Sequence, residues 1–457
     1  MSPKSRFPSP LCVPLLLVLA ACVSEGGRHE VVDDPQPITS EKAVESFDIA
    51  WKAIYDTHFD PAFNGVDWLA LKDELRPAAE TCTTEAELRA VIDDMIGRLG
   101  QSHFVLIPAA ALPALEEAGD EKPSDEVAGG VGIDLRYRDD RMLVFEVDRG
   151  GPADRAGIRP GWTLDRAGES STAELLERLL EAEGVLDPRK IAAYARKALR
   201  NATFGPIGEP VELALRDADD REVVVELERA ERDVIAHAFG TALPTFHLRF
   251  RSDTLERGGR RIGWVHFTNW FLPMMKPIDE AMFAMRGHDG IVLDLRGNSG
   301  GAAAMCMGLA GHFFEEREVF GTMKLRDSEM RLVANPRVVD ASGEGVEAFS
   351  GPVAILVDET SASASEVFSG GMQSTGRVRV FGETTAGAVL PARTTKLPTG
   401  DALLHAYGDF KTADGTLLEG RGVIPDETVK LTREELLQGR DPQLEAALSW
   451  IASHDRT

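Results

Sequence analysis

The chain has 457 residues, 43% of them hydrophobic, and a formal net charge of -25. That length exceeds one simple domain, so two or three packed units are expected. The acidic balance argues against nucleic-acid or anionic-membrane binding through a basic surface, and its plainest reading is solubility.

At the N-terminus, Lys4 and Arg6 precede the apolar residues 11–19, a run too short to span a bilayer as a mature helix. Leu19-Ala20-Ala21-Cys22 resembles a bacterial lipobox. The resemblance implies that residues 1–21 are a signal peptide, that the Cys22 sulfur takes a diacylglyceryl group, and that residues 22–38 are a polar tether. Val23 follows Cys22 where an Asp would retain the protein at an inner membrane, so the expected location is the outer membrane, facing the periplasm. The alternative is an ordinary secretory signal with a chance cysteine. Cys82 and Cys306 remain in the mature chain; that compartment permits a disulfide, but two distant cysteines do not establish one. No Cys/His spacing suits zinc, and no cofactor is implied.

Residues 39–107 read as a helical domain. Thr39-Ser40-Glu41 opens a stretch with Val44, Phe47, Ala50, Trp51 and Ile54 at helical spacing, and Thr83-Thr84-Glu85 caps a second through Leu99. A loop rich in Ala, Glu and Pro (108–126) leads to a β-rich unit, residues 128–232. Its run from Gly151-Pro152-Ala153 through Ala156-Gly157-Ile158 to Gly161 resembles the PDZ domains of bacterial proteases. By that resemblance Gly130, Val131, Gly132 and Ile133 offer N–H groups to a peptide's terminal carboxylate while the peptide adds a strand to the domain edge. A purely structural glycine turn is the alternative. The helical text from 175 to 199 exceeds what a PDZ needs and reads as an insertion. Residues 241–435 alternate strands and helices, which implies a mostly parallel sheet, and residues 436–457 a C-terminal helix. The fold class expected is thus multidomain α/β.

In a parallel sheet, ligands bind beyond the carboxyl ends of the strands, and two unusual loops fall there. One is Arg296-Gly297-Asn298-Ser299-Gly300-Gly301, whose glycines let successive N–H groups converge on one point. No Gly-Lys-Ser/Thr follows, so it is not a phosphate loop. The other is Ser361-Ala362-Ser363-Ala364-Ser365-Glu366, where a strand hands over to a helix and a serine can be held exposed.

Together with Gly382-Glu383-Thr384-Thr385-Ala386-Gly387 and Gly422-Val423-Ile424-Pro425-Asp426, these loops resemble the C-terminal processing (tail-specific) serine peptidases and their tricorn-like relatives. The resemblance implies a core of the ClpP/crotonase type, Ser363 as nucleophile, and an oxyanion hole from the Ala364 N–H with that of Gly300 or Gly301. Ser361 and Ser365 would cap the helix start. The best-known branch places a lysine base where this chain has Ala388, and the nearest lysine downstream is Lys396. The tricorn-like branch instead implies His103, in Ser102-His103, as base and Glu419 as the acidic partner. His405 and His266 are rival bases. The expected activity is a membrane-anchored endopeptidase acting on polypeptides. The alternatives are a non-catalytic peptide- or lipophile-binding protein on the same fold, and a scaffold acting through its PDZ unit alone.

Overall fold

The computed structural model describes residues 36–109, 128–182, 195–196, 198–237, 246–340 and 342–454. The segments expected as signal peptide and tether, with Cys22, lie outside these residues except for 36–38, as does much of the helical text expected as an insertion. Among the described residues, no helix is long and apolar enough to cross a membrane.

The helical unit contains three helices, Ser40–Thr57, Trp68–Thr81 and Glu85–Gly97. Thr39, Asp67 and Thr84 cap them, and Glu87 completes a capping box with Thr84. The middle helix was not expected; Pro77 lies inside it, yet Trp68, Leu71, Leu75 and Ala79 keep one buried face. This unit does not close on itself. Its core continues into Leu390, Leu397 and Leu403, and strand Val105–Ile107 pairs with strand Ala402–Ala406 of the C-terminal half. Arg89 and Asp401 form an ion pair at 3.1 Å across the same seam. Residues 99–104 are therefore delivered to the body of the molecule.

The β-rich unit is a sheet in the order Ile133–Arg138, Arg141–Val147, Thr163–Ala167, Pro210–Arg216, Glu222–Glu228. Ile133–Arg138 stands at one end of that order.

The central sheet has six strands in the order Phe250–Arg257, Arg260–Phe267, Gly290–Asp294, Val353–Val357, Arg379–Gly382, Glu427–Thr428. The first pair is antiparallel and the remaining pairs are parallel. Gly290–Asp294 and Val353–Val357 are buried on both faces, which explains their unbroken apolar text. Ile291, Leu293, Ile355 and Val357 face helices Leu272–Ala284, Ala303–Ala310 and Ala364–Ser374. Val292, Ala354 and Leu356 face helix Pro442–Ala452. At Gly290 an added Cβ would lie 2.2 Å from Ile451, so only glycine admits that helix so close. The C-terminal segment is two helices, Arg433–Leu437 and Pro442–Ala452, where one was expected. Cys82 and Cys306 are buried free thiols.

Candidate active site

Strand Val353–Val357 ends at Asp358, and helix Ala364–Ser374 begins six residues later with Ser363 at its N-cap. Ser363 has φ 53° and ψ -116°, a conformation that L residues rarely adopt and that persists only when surroundings enforce it. Here they do. The Ser363 N–H donates to Ala388 O at 2.8 Å and to Glu366 Oε2 at 3.1 Å. Glu366 also accepts from Gly387 N at 2.7 Å, Ala388 N at 2.9 Å and Thr385 Oγ at 2.5 Å. Burial pushes its carboxyl up to about 7, against the pull of these donors. Ala388, in the position of the missing lysine, thus touches the nucleophile turn through its backbone.

Glu366 was not singled out in the sequence. Its signal was available as a lone acid in the first turn of an otherwise apolar, small-residue helix. Ser361 and Ser365 do not cap that helix as expected. The Ser361 hydroxyl donates to Leu295 O and accepts from Asp358 N, whereas Ser365 donates to Asn298 O and accepts from Trp270 Nε1. Both bind the serine turn to the glycine loop.

In that loop Gly300 and Gly301 have φ 102° and 147°. A Cβ on Gly300 would lie 2.7 Å from both Ala362 O and Ser363 Cβ, so the two loops are in van der Waals contact. The two glycine N–H groups differ. That of Gly300 donates to Asn298 Oδ1 at 3.0 Å. Those of Gly301 and Ala364 have no acceptor among the described residues.

His103 lies beside this assembly, 9% exposed and at φ 62°. Its Nδ1 is 2.7 Å from Ser102 Oγ, which donates to Glu419 Oε2 at 3.0 Å. A hydroxyl has one proton; given to Glu419, it leaves Ser102 Oγ to accept from His103 Nδ1–H. The ring is thereby set in the tautomer whose basic nitrogen is Nε2. Among the described residues, Glu419 reaches the His103 ring through the Ser102 hydroxyl. It also accepts from Ser102 N at 2.7 Å and Val389 N at 3.0 Å. Burial raises its carboxyl above the usual range, with those N–H bonds opposing. Val389 follows Ala388, so two hydrogen bonds and one peptide link Glu419 to the Ser363 N–H. Among the described residues, no hydrogen bond joins the His103 ring to the Ser363 hydroxyl.

The rival bases are occupied elsewhere. His405 is fully buried between Thr57 and Thr395 hydroxyls at 3.2 and 2.9 Å. Burial, assisted by Arg393, pushes its ring down to about 4. His266 contacts Asp294 O at 3.0 Å and faces a separate cavity of about 250 Å³ between the β-rich unit and the central sheet. In the β-rich unit, the Gly130 N–H donates to Ala230 O at 2.8 Å, which withdraws it from the peptide-binding set and leaves Val131, Gly132 and Ile133. Among the described residues, no group of three His, Cys, Asp or Glu could hold a metal ion.

Residues 261–429 match the peptidase family S41, and residues 40–97 match the tricorn protease C1 domain. The chain is 25% identical over 440 residues to the chloroplastic carboxyl-terminal-processing peptidase 2 of Arabidopsis thaliana, covering 93% of this chain and 76% of that one. It is 23% identical over 415 residues to the carboxyl-terminal-processing protease of Synechocystis, covering 88% and 85%. The solved photosystem II D1 C-terminal processing protease shares the fold with a TM-score of 0.56 at 21% identity, covering 91% of this chain and 98% of that one.

Proposed function

We propose that this chain, which matches peptidase family S41 over residues 261–429 and the tricorn C1 domain over residues 40–97, is a serine-type peptidase acting on polypeptides, with Ser363 as nucleophile and His103, not a lysine, as base. One observation carries the reading. Ser363 is held at positive φ by Ala388 O, and the next residue, Val389, is tied to the Glu419–Ser102–His103 chain. In this mechanism His103 Nε2 takes the Ser363 proton as the hydroxyl attacks the peptide carbonyl carbon. The tetrahedral oxyanion is met by the N–H groups of Gly301 and Ala364. His103 then gives its proton to the leaving amine, and an acyl ester remains on Ser363. Water, deprotonated by His103, hydrolyses that ester. The imidazolium formed in each half-reaction is stabilised through Ser102 by Glu419.

The substrates proposed are polypeptides presenting a C-terminal tail, by analogy with the processing activity that the relatives' names state. The β-rich unit is read as a PDZ domain. Its end strand Ile133–Arg138 and the turn at Gly132, φ 82°, suit strand addition by such a tail. The core is read as ClpP/crotonase-like. Cys22 is proposed as a lipidated residue that anchors the enzyme at the periplasmic face of the outer membrane; loss of radiolabelled palmitate incorporation in Cys22→Ser is the expected outcome, and undiminished incorporation contradicts it.

Hydrolysis of an unfolded protein such as casein, and of tail peptides, tests the enzyme reading. Wild type cleaves and Ser363→Ala does not. Peptide binding by wild type without cleavage favours the binding protein instead, a reading that draws on Ala388 in the lysine position.

A further inference from the structure

The glycine loop is clamped at its first glycine, Gly297, from two directions. The Gly297 N–H donates to Asp358 Oδ1 at 3.0 Å, and its carbonyl accepts from Arg196 Nη2 at 2.8 Å. A Cβ on Gly297, at φ 75°, would lie 2.8 Å from Arg196 Nη1 and 3.2 Å from Arg136 Nη2. Asp358 is the first residue after the strand that carries the nucleophile turn, and it is fully buried. Its Oδ1 also accepts from Thr360 N at 3.0 Å and Thr360 Oγ at 2.7 Å, so one oxygen fixes both the start of the glycine loop and the start of the serine loop. Its Oδ2 faces Arg136 Nε at 3.2 Å, an ion pair without the alignment of a hydrogen bond. Arg136 is 2% exposed and belongs to the end strand of the β-rich unit. Burial opposes the Asp358 carboxylate, yet Arg136, Arg196 and Arg138 hold it below the usual carboxylate range.

We propose that Asp358 is a positioning residue that registers the Gly300–Gly301 loop against Ser363 and Ala364, and that Arg136, supplied by the β-rich unit, holds Asp358 in that role. The oxyanion site is then completed only when the two loops share this carboxylate. The effect belongs in turnover: displacing one oxyanion donor lowers kcat by about 10²-fold or more, and a loop shift of about 1 Å has comparable consequences.

The inference rests on Ser363 as nucleophile, and the test separates the two. In the full chain, a fluorophosphonate titrates active sites, and hydrolysis of a tail peptide is expressed per titrated site. Asp358→Asn is expected to lower kcat per site by about 10²-fold with KM within twofold of wild type. Adding Arg136→Gln, which removes the uncompensated cation, is expected to restore kcat per site at least tenfold. A residue with a merely structural role would reduce the number of titrated sites and leave turnover per site unchanged; that result in Asp358→Asn overturns the inference. Where Asp358→Asn yields no titratable protein, Arg136→Gln alone decides, with at least a fivefold loss of kcat per site expected and no loss overturning it. A wild type whose adduct is not removed by Ser363→Ala overturns the nucleophile assignment, and this inference with it.

Discussion

At the scale of single residues, the site is a set of buried acids held by N–H groups. Ser102 is the pivot, since its hydroxyl joins His103 Nδ1 to Glu419 Oε2. Ser102→Ala is expected to lower kcat by about 10- to 100-fold, with little change in KM, because the imidazolium loses its partner while substrate contacts stay. A peptide-hydrolysis assay at saturating substrate measures this. Glu366 gives a pH signature of opposite sign to that of an ordinary acid. Its folded value, about 7, lies above the 4.5 expected when unfolded. Its contribution to stability is therefore fully present below about pH 4.5 and is lost as pH rises to about 7. Glu366→Gln should flatten the unfolding free energy over that window by roughly 3 kcal/mol, read from urea melts at pH 4.5 and 8. The serine loop as a candidate site was legible because small residues at a strand-to-helix handover leave few roles for three hydroxyls; the choice of Ser363 and Ala364 within it came from the family resemblance. The Ser102–Glu419 bond could only be guessed from the sequence, because a contact across more than 300 residues leaves no local pattern, yet the structure contains it.

At the scale of elements, the continuous apolar strands and the glycine loops were the readable parts, since burial on both faces and positive φ each demand particular residue types. Helix Trp68–Thr81 was missed because Pro77 reads as a breaker, although its ring falls in a helix that the packing of Trp68 and Leu71 maintains. The roles of Ser361 and Ser365 were misread as capping, because sequence cannot show that the glycine loop lies against the helix start. That contact makes a direct prediction. Gly301→Ala places a Cβ 2.4 Å from Trp270 O at φ 147°. It should cost about 1–3 kcal/mol of stability by thermal melt and lower kcat per active site by at least 10²-fold.

At the scale of the whole molecule, three units converge on one site, with the candidate base from the first, a clamping arginine from the second, and the nucleophile and oxyanion loops from the third. The seams between them are charged. Arg138 pairs with Glu359 and Glu383, Arg251 with Glu146, and Arg249 with Asp148. Sequence order suggested the units, but could not show that the helical one shares its core with the hairpin around residues 390–406, since that pairing is entirely long-range. Arg89→Met tests the seam. Asp401, 1% exposed, loses its cation, and about 3 kcal/mol of stability should go with it, measured by urea midpoint. Activity should fall too, as residues 99–104 loosen. The central claim, that Ser363 is activated by His103 in the absence of a lysine, is tested most directly by locating a fluorophosphonate adduct by peptide mass spectrometry. The account predicts one adduct, on Ser363, formed in wild type and lost in His103→Ala. Labelling at another residue, or undiminished labelling of Ser363 in His103→Ala, would contradict it.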